Sequence, residues 1–340
     1  MEQHCHKPRI FSGIQPTGNL HLGNYLGALT QWIENQYRYD SIFSIVDLHA
    51  LASQDSHLAV PIVEKVRQTA ALLIASGLDP ERSALFVQSH ISAHAELAWI
   101  LNCLTPVGWL ERMTQYKAKA AQVEAATAGL LDYPVLQAAD ILLYQTDRVP
   151  VGEDQKQHIE LTVDLAQRFN RLFGAIFVVP KPLIRPSGAR IMGLDDPSVK
   201  MSKSLAEKRK GHVIGLADPP DVIRGSILQA VTDSGSETRF EQASPGVKNL
   251  LTIFEALSGN PRPAVESRFE GKGYRYLKNE VANLVIAVLT PIRVRYLQLV
   301  NDTAYLDRVL GYGADKVRPV AVSTLEEVKR RIGIEAPCSG

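Results

Sequence analysis

The feature that most constrains the fold is an alternation of short β-rich runs with longer helical stretches between residues 9 and 179. Runs rich in branched and aromatic residues predict strands at residues 9–14, 42–47, 85–88 and 176–179. Helical patterns lie between them at residues 24–37, 58–76 and 94–104. The pattern predicts an α/β fold, a doubly wound parallel sheet joined by right-handed helical crossovers. In such sheets, ligands bind beyond the carboxyl ends of the strands.

The β signals fade after Ser204, and the remaining sequence is helical in pattern. A long helix with one buried stripe is predicted by the spacing of Val281, Leu284, Val285, Val288 and Ile292. Pro291 lies within this stripe, and we expect a kink or a break there because proline removes a backbone donor. The sequence thus predicts a Rossmann-like domain over residues 1–204 and a helical domain over residues 205–340.

The composition narrows the functional classes. Thirty-seven basic residues against thirty-six acidic ones give a formal charge of +1, so any RNA contact must use local patches. Cys5, Cys103 and Cys338 lack CxxC spacing, which argues against a disulfide framework and a zinc site, and His4-Cys5-His6 is interpreted as a tail without function. No apolar run reaches the roughly 18 residues of a membrane span, and the N-terminus lacks the core of a signal peptide. We therefore expect a cytoplasmic protein.

A glycine-rich turn, residues 13–24, follows the first predicted strand and opens the first predicted helix. Glycines let a backbone approach a phosphate closely, and the N–H groups and dipole at a helix start attract negative charge. His21 and Asn24 add side-chain donors there. Asn24 and Tyr25 stand where a Walker A loop has Lys and Ser or Thr, so a P-loop NTPase is not expected. Taken alone, this turn is equally compatible with a plain helix cap.

A lysine loop, Lys200-Met201-Ser202-Lys203-Ser204, lies near the end of the α/β part. Two lysines on a serine-rich loop suit a mobile clamp that neutralises the β- and γ-phosphates as pyrophosphate departs, although a solvated basic loop is the simpler interpretation. Together with His21-Leu22-Gly23-Asn24, the loop resembles the two signatures of class I aminoacyl-tRNA synthetases, HIGH and KMSKS. The first signature is a variant here and the second is intact, which favours the clamp.

A third motif lies at residues 133–144, which read as a helix with Pro134 in its first turn. Tyr133, Gln137, Asp140 and Tyr144 fall on one face of that helix. A buried acid needs a partner, and an indole N–H is a donor without acceptor capacity. Asp140 is therefore the candidate for binding an indole ring nitrogen. The alternative is an ordinary acid on a solvated helix face.

Residues 133–170 resemble the tryptophanyl-tRNA synthetases nearly throughout, most specifically over residues 149–160. The same resemblance extends over shorter runs at residues 10–18, 46–50, 111–115, 189–192 and 230–234. It covers most of the chain and weakens in the C-terminal third. Two departures are Gln137, where some members carry Met, and residues 205–208, where many relatives have an acidic continuation. Tyrosyl-tRNA synthetases also carry a Tyr, Gln and Asp helix face, so tyrosine specificity is the nearest alternative.

The resemblance implies roles for individual residues. The catalytic residues would be His21, Asn24, Lys200 and Lys203. ATP, with the Mg²⁺ that it carries, would bind Gln15, Pro16, Thr17, Gly23, Asn24, Gly152, Glu153, Asp154, Ile191, Lys200, Met201, Ser202, Lys203 and Ser204. The tryptophan pocket would comprise Phe11, His49, Tyr133, Gln137, Asp140, Val149, Val151 and Gln155. Simpler alternatives exist for His49, as a satisfied core histidine, for Glu153, as a helix cap, and for the apolar members, as plain core.

The implied reaction is activation of L-tryptophan with ATP to tryptophanyl-adenylate and pyrophosphate, followed by transfer to the 3′ end of tRNA(Trp). The tryptophan carboxylate is ionised at neutral pH and attacks the α-phosphorus without a general base. Catalysis then rests on alignment and on charge stabilisation. Lys117 and Lys119 lie in a run similar to the family's and are candidates to assist.

The family works as a homodimer, which we carry over as an expectation. The C-terminal helices resemble its anticodon-reading region, with positive charge on Arg293, Arg295, Lys316, Arg318, Lys329, Arg330 and Arg331. Acidic residues interleave with these, so an ordinary solvated surface explains the charges as well. Besides a tyrosine–tRNA ligase, two alternatives stay open: a small adenylyltransferase, and a non-aminoacylating RNA-binding paralogue that should have lost the phosphate contacts.

Overall fold

The computed structural model describes residues 7–17, 19–52, 61–121, 123–150, 152, 155–183, 190–202, 205 and 209–334. Within them, five parallel strands form one sheet in the order β3-β2-β1-β4-β5. The strands are β1 (Arg9–Ile14), β2 (Asp40–Ile45), β3 (Ala84–Val87), β4 (Arg148–Pro150) and β5 (Lys181–Leu183). The order reverses between β1 and β4, which is the switch point where such sheets bind ligands. The predicted doubly wound α/β fold is confirmed.

Helices cover the sheet and make up the C-terminal part. The N-terminal helices are α1 (Leu22–Asn24), a π-helix (Tyr25–Leu29), α2 (Thr30–Asn35), α3 (Asp47–Ala52), α4 (Ile62–Ala75), α5 (Ala93–Asn102), α6 (Val107–Glu111), α7 (Thr114–Ala120), α8 (Ala128–Leu142) and α9 (Lys156–Phe173). The C-terminal helices are α10 (Pro220–Leu228), α11 (Pro245–Ser258), α12 (Arg262–Phe269), α13 (Gly273–Leu299) and α14 (Thr303–Arg331).

Two apolar clusters, one on each face of the sheet, form the core. Neighbouring residues of a strand point to opposite faces, so Ile10 belongs to one cluster and Phe11 to the other. The Ile10 cluster includes α2, α4 and helices α10 to α13, whereas the Phe11 cluster includes α5, α8 and α9. The C-terminal helix α14 contributes to both. The helical part is therefore packed against the sheet, and the predicted boundary at residue 204 stays a prediction.

The predicted strand at residues 176–179 is wrong. The backbone N–H groups of Ile176 and Phe177 both donate to Oδ1 of Asn170 at 2.9 Å, and that of Val178 donates to Oε1 of Gln145. Because side chains satisfy these donors, the segment joins no strand ladder. The strand at this edge of the sheet is β5 instead. Neither β4 nor β5 was predicted from the sequence, because three residues are too few to show an alternating pattern.

The second strand begins and ends two residues earlier than predicted. Asp47 does not end β2 but begins α3, where its carboxylate accepts the N–H groups of Leu48 and Ser89 at 3.1 and 3.0 Å. His49 therefore lies on α3.

The prediction for Pro134 is wrong, as is the break that was one of the two alternatives predicted at Pro291; the kink at Pro291 stays a prediction. Helix α8 begins at Ala128, with Thr127 Oγ1 accepting the N–H of Leu130, so Pro134 lies in the helix interior rather than in its first turn. Helix α13 runs through Pro291 to Leu299 without a break. Burial of its stripe, which includes Val281, Val285 and Ile292, outweighs the loss of one backbone hydrogen bond. Leu284 and Val288, also predicted in the stripe, are only half-buried.

Helix α14 returns to the sheet and packs on β3. At Gly313, a Cβ atom would lie 2.0 Å from the carbonyl oxygen of Leu85, so the helix and strand backbones are in direct contact. Arg67 on α4 forms a two-bond ion pair with Asp307, at 2.9 and 2.7 Å. Among the described residues, no single helix is long and apolar enough to cross a membrane; α13 and α14 pass that test only as a pair, bent by 95° at their junction.

Candidate functional site

A cavity of about 350 Å³ opens at the switch point, beyond the carboxyl ends of β1 and β4. The first strand and its following turn contribute Phe11, Ser12, Gly13 and Gln15, while β4 and its end contribute Val149, Pro150 and Gly152. Helices α2, α3, α7 and α8 supply the other walls. The site therefore lies where the sheet topology predicts a ligand.

The structure brings together most of the residues predicted for the tryptophan pocket. Seven of the eight line this cavity, namely Phe11, His49, Tyr133, Gln137, Asp140, Val149 and Gln155. Val151 lies outside the described residues. Two residues predicted for ATP, Gln15 and Gly152, line the same cavity, which places both predicted ligand sites at one end of the sheet.

Asp140 is a buried acid whose two carboxylate oxygens both accept hydrogen bonds. Gln88 Nε2 and His94 Nδ1 lie 2.7 and 2.6 Å from Oδ1, and His49 Nε2 lies 2.9 Å from Oδ2. The residue is 1% exposed. Burial disfavours the charge, but the hydrogen bond from His49 and the electrostatic attraction of His94 outweigh it and lower the pKa of Asp140 to about 2. The carboxylate is therefore ionised at neutral pH, and an ionised carboxylate is a stronger acceptor for an N–H donor than a neutral acid.

The hydrogen bonds continue behind Asp140. His94 is fully buried, and its Nε2 lies 2.7 Å from the hydroxyl of Tyr144. Burial, and then the charge of Asp140, raise the pKa of Tyr144 far above its usual value, so the phenol keeps its proton. His94 thus links the Tyr144 hydroxyl and the Asp140 carboxylate through its two ring nitrogens.

Sequence reasoning missed Gln88 and His94. Gln88 directly follows β3, whereas the glycine-rich turn predicted as a ligand site follows the first strand. His94 opens a predicted helix on the same edge of the sheet. A survey of every strand end would have found both.

Polar side chains also line the cavity on the N-terminal side of Asp140 along α8 and at the start of α9. The Tyr133 hydroxyl lies 3.0 Å from Nε2 of His158, and burial raises the pKa of Tyr133 to about 12. Gln137 Nε2 donates to Oε1 of Gln155 at 3.4 Å. Lys119 lines the cavity with its ammonium 5.1 Å from the Tyr133 ring centre, whereas Lys117 does not line it. These side chains offer both donors and acceptors to a zwitterionic ligand.

The glycine-rich turn ends in a capping box at the start of α1. Nδ1 of His21 accepts the N–H of Asn24 at 3.3 Å, and Oδ1 of Asn24 accepts the N–H of His21 at 3.1 Å. These bonds hold the two side chains at the helix mouth in fixed orientations. The backbone of Leu22 donates to the carbonyl of Ile214 at 2.8 Å, which ties the turn to the segment after the lysine loop. Gly18 of this turn lies outside the described residues.

The stem of the lysine loop lies against this turn. Residues 191–193 and 199–201 pair as two short antiparallel arms, with Met201 N–H donating to Ile191 at 3.1 Å. A Cβ at Gly23 would lie 3.0 Å from Nδ1 of His21 and 3.5 Å from Cβ of Met201. The two signature motifs are therefore in contact through Gly23, although they are remote in sequence.

Two side chains, Asn249 and His212, hold the loop stem by hydrogen bonds. Asn249 on α11 donates to the carbonyl of Met192 and accepts its N–H, both at 2.9 Å. Nδ1 of His212 lies 2.5 Å from Asp195, and Nε2 lies 3.4 Å from the carbonyl of Lys200. The stem is thus fixed at both arms, while the Lys200 side chain is exposed to solvent.

The remaining predicted ATP contacts are distributed as follows. Pro16, Thr17, Gly23, Asn24, Ile191, Lys200, Met201 and Ser202 are described but do not line the cavity. The side chains of Ile191 and Met201 are buried in the apolar core. Glu153, Asp154, Lys203 and Ser204 lie outside the described residues, as do His4, Cys5, His6 and Cys338. Among the described residues, no group of three His, Cys, Asp or Glu is arranged to hold a metal ion.

Known proteins resemble the chain over nearly its full length. The family described as class I tRNA synthetases (W and Y) matches residues 3–290. The tryptophan–tRNA ligase of Wolinella succinogenes is 51% identical over 96% of this chain and 99% of the relative.

Solved structures agree with the sequence relatives. The tryptophanyl-tRNA synthetase of Mycoplasma pneumoniae has a TM-score of 0.88 at 36% identity, covering 97% of this chain and 98% of that one. That of Campylobacter jejuni, solved with ADP and tryptophan, has a TM-score of 0.81 at 34% identity, covering 96% and 99%.

Proposed function

Because the chain belongs to the class I tRNA synthetases for tryptophan and tyrosine, we propose that the cavity at its switch point is the tryptophan site of a tryptophan–tRNA ligase. Its activity is to activate L-tryptophan with ATP to tryptophanyl-adenylate and pyrophosphate, and then to transfer tryptophan to the 3′ end of tRNA(Trp). The observation that carries the assignment of the site is the ionised Asp140 carboxylate, buried in the wall of a mostly apolar cavity.

The chemistry of the walls fits an indole. Phe11, Val46 and Val149 offer apolar surface to the ring, and Asp140 accepts the ring N–H. Tyr133 and Gln155, which also line the cavity, receive the polar end of the amino acid. The Campylobacter jejuni relative binds tryptophan and ADP together, which supports two adjacent sites of this kind.

ATP binds across the glycine-rich turn and the lysine loop. The fixed side chains of His21 and Asn24 at the start of α1, with Lys200 and Lys203 of the loop, stabilise charge on the departing pyrophosphate. Gln15 and Gly152 contact the nucleotide beside tryptophan, and the contacts predicted for Glu153, Asp154 and Ser204 stay predictions. The tryptophan carboxylate attacks the α-phosphorus, and the bond to pyrophosphate breaks. Mg²⁺ carried by the nucleotide would add positive charge at its phosphates.

The helical part is the proposed anticodon-binding region for tRNA(Trp). Arg295, Lys316 and Arg318 are all exposed there, but Arg318 donates to the carbonyl of His90, and the partly buried Lys329 pairs with Glu96. Arg330 and Arg331 both pair with Glu327. Acidic side chains of the same chain therefore offset much of the predicted positive charge, and the proposed tRNA contact falls mainly to Arg295 and Lys316.

We also propose that the protein works as a homodimer in the cytoplasm. An exposed apolar surface on α5 and α6 supports the dimer, since Trp99 is 71% exposed and Val107 is 58% exposed. Exposed large apolar side chains such as these are typical of protein interfaces.

The assignment is tested by ATP–pyrophosphate exchange with each of the twenty amino acids. We expect exchange with tryptophan alone. Asp140→Ala should raise the tryptophan KM at least about 10-fold and leave the ATP KM nearly unchanged, because the lost contact is to the ring N–H. Asp132→Ala is a matched control, since Asp132 is on the same helix but does not line the cavity. Preferred exchange with tyrosine, or an unchanged tryptophan KM in Asp140→Ala, would contradict the proposal.

A further inference from the structure

We infer that His94, held by Tyr144, is a specificity-determining positioning residue that fixes which oxygen of Asp140 receives the ring N–H of the substrate. This inference rests on the proposed tryptophan site. Neither His94 nor Tyr144 is among the residues that line the cavity, so both act through Asp140.

The first step is the occupancy of the two carboxylate oxygens. A carboxylate has about four acceptor positions, two on each oxygen. Among the described residues, Oδ1 accepts from both Gln88 and His94, whereas Oδ2 accepts from His49 only. Oδ1 is therefore saturated, and a further donor from the cavity must go to Oδ2. His49 lines the cavity beside that oxygen.

The second step is the rigidity of His94 itself. Its Nε2 contacts the Tyr144 hydroxyl at 2.7 Å, and its ring stacks on Phe86 at a centroid distance of 5.9 Å. Tyr144 stacks in turn on Phe11, at 5.6 Å, and Phe11 forms part of the cavity wall. The imidazole is thus clamped on both nitrogens and one face, so it can hold the carboxylate plane against rotation.

The third step is the consequence for selectivity. A site built to accept a hydrogen bond rejects an isostere that lacks the donor, because the acceptor is then left unpaired. Rejection requires an acceptor of fixed orientation, since a carboxylate that can turn finds water or a neighbouring N–H instead. Loss of His94 should therefore weaken discrimination more than it weakens binding of the isostere.

The test compares tryptophan with its benzothiophene isostere, in which sulfur replaces the ring N–H. The measured quantity is the ratio of kcat/KM values for the two amino acids in ATP–pyrophosphate exchange. For His94→Leu we expect this ratio to fall at least about 10-fold, with kcat/KM for the isostere changed less than about 3-fold. His94→Gln, which can still donate to Asp140 and accept from Tyr144, should recover part of the ratio.

Tyr144→Phe and His90→Leu complete the set. Tyr144→Phe removes one oxygen atom and should lower the ratio less than His94→Leu does, so it tests the inference even if His94→Leu fails to fold. His90 is exposed and lies four residues away, and His90→Leu should keep the wild-type ratio. An equal loss for both amino acids in His94→Leu, with a wild-type ratio in Tyr144→Phe, would overturn the inference.

Asp140→Ala separates this inference from the proposed site. If Asp140→Ala keeps the wild-type ratio, the tryptophan site itself is wrong. If Asp140→Ala abolishes the discrimination while His94→Leu and Tyr144→Phe retain it, the site stands and only the role of His94 is wrong.

Discussion

At the scale of single residues, the cavity depends on a negative charge that is kept away from water. Burying an unpaired carboxylate is strongly unfavourable, and Asp140 is stable in its place because Gln88, His94 and His49 each donate to it. The same donors that stabilise the fold at this point also orient the acceptor. Stability and recognition are therefore linked at Asp140.

This link predicts a pH dependence of stability. The pKa of Asp140 is about 2 in the folded protein against 3.8 ordinarily, so the ionised group stabilises the fold above about pH 4. That contribution is lost as the pH falls toward about 2. The Asp140→Asn variant lacks this titrating group. The difference between the urea unfolding midpoints of the wild type and this variant should therefore be smaller at pH 3 than at pH 5. A difference of constant size would contradict the low pKa.

Residues that line the cavity were more predictable than those behind it. Tyr133, Gln137 and Asp140 lie at helical spacing on one sequence segment, so their shared face follows from periodicity alone. Gln88 and His94 reach Asp140 only because β3 lies two strands from β1 and α5 packs on α8. Contacts of that kind depend on the tertiary arrangement, and no local pattern encodes them.

At the scale of elements, the lysine-loop stem and the glycine-rich turn form one unit. Gly193 in the stem packs so closely on His212 that a Cβ would lie 2.2 Å from the ring, and 3.0 Å from the carbonyl of Asp196. His212 in turn contacts Asp195 and the Lys200 carbonyl. A displacement of His212 therefore moves the arm that carries the first lysine.

Gly193→Ala should raise the ATP KM or lower kcat at least about 10-fold, because a small misplacement of a charge-stabilising group is costly in rate. The tryptophan KM should change less. His212→Ala combined with Gly193→Ala should recover part of the loss, since it removes the clash. Gly108→Ala is the control, as a Cβ there meets no atom within 4 Å. Equal effects on the two KM values would argue against a local change at the loop.

Element boundaries were predicted least well where tertiary contacts override local propensity. The strands β4 and β5 have three residues each and hold their place by pairing with β1 and with each other. Pro134 and Pro291 sit inside helices that continue because their buried faces are fixed by packing. Long periodic segments such as α4 and the helical C-terminal part were predicted correctly in type.

At the scale of the whole molecule, α14 packs on one edge of the sheet. It covers β3, an edge strand that would otherwise expose unpaired backbone groups. The ion pairs of Arg67 with Asp307 and of Lys329 with Glu96 fasten it near both ends. Helix α14 therefore supports β3. Gln88, which donates to Asp140, directly follows that strand.

Gly313→Ala should therefore destabilise the protein. The added Cβ would meet the Leu85 backbone, which cannot move aside as a side chain can, so we expect a loss of roughly 1–3 kcal/mol. Gly311→Ala lies on the same helix with no atom within 4 Å of its Cβ, and it should be neutral or slightly stabilising. The thermal unfolding midpoints of the two variants measure the difference. Identical midpoints would show that α14 is not tightly docked.

The helical part is joined to the loop stem by hydrogen bonds between Asn249 and Met192. These bonds require the side chain of Asn249 but not the side chain of Met192. The carboxamide binds only peptide groups of residue 192, both at 2.9 Å. Residues other than proline, which lacks the backbone N–H, can therefore replace Met192 without removing either hydrogen bond. A substitution that removes the carboxamide of Asn249 breaks both hydrogen bonds, and no side chain at position 192 can restore them.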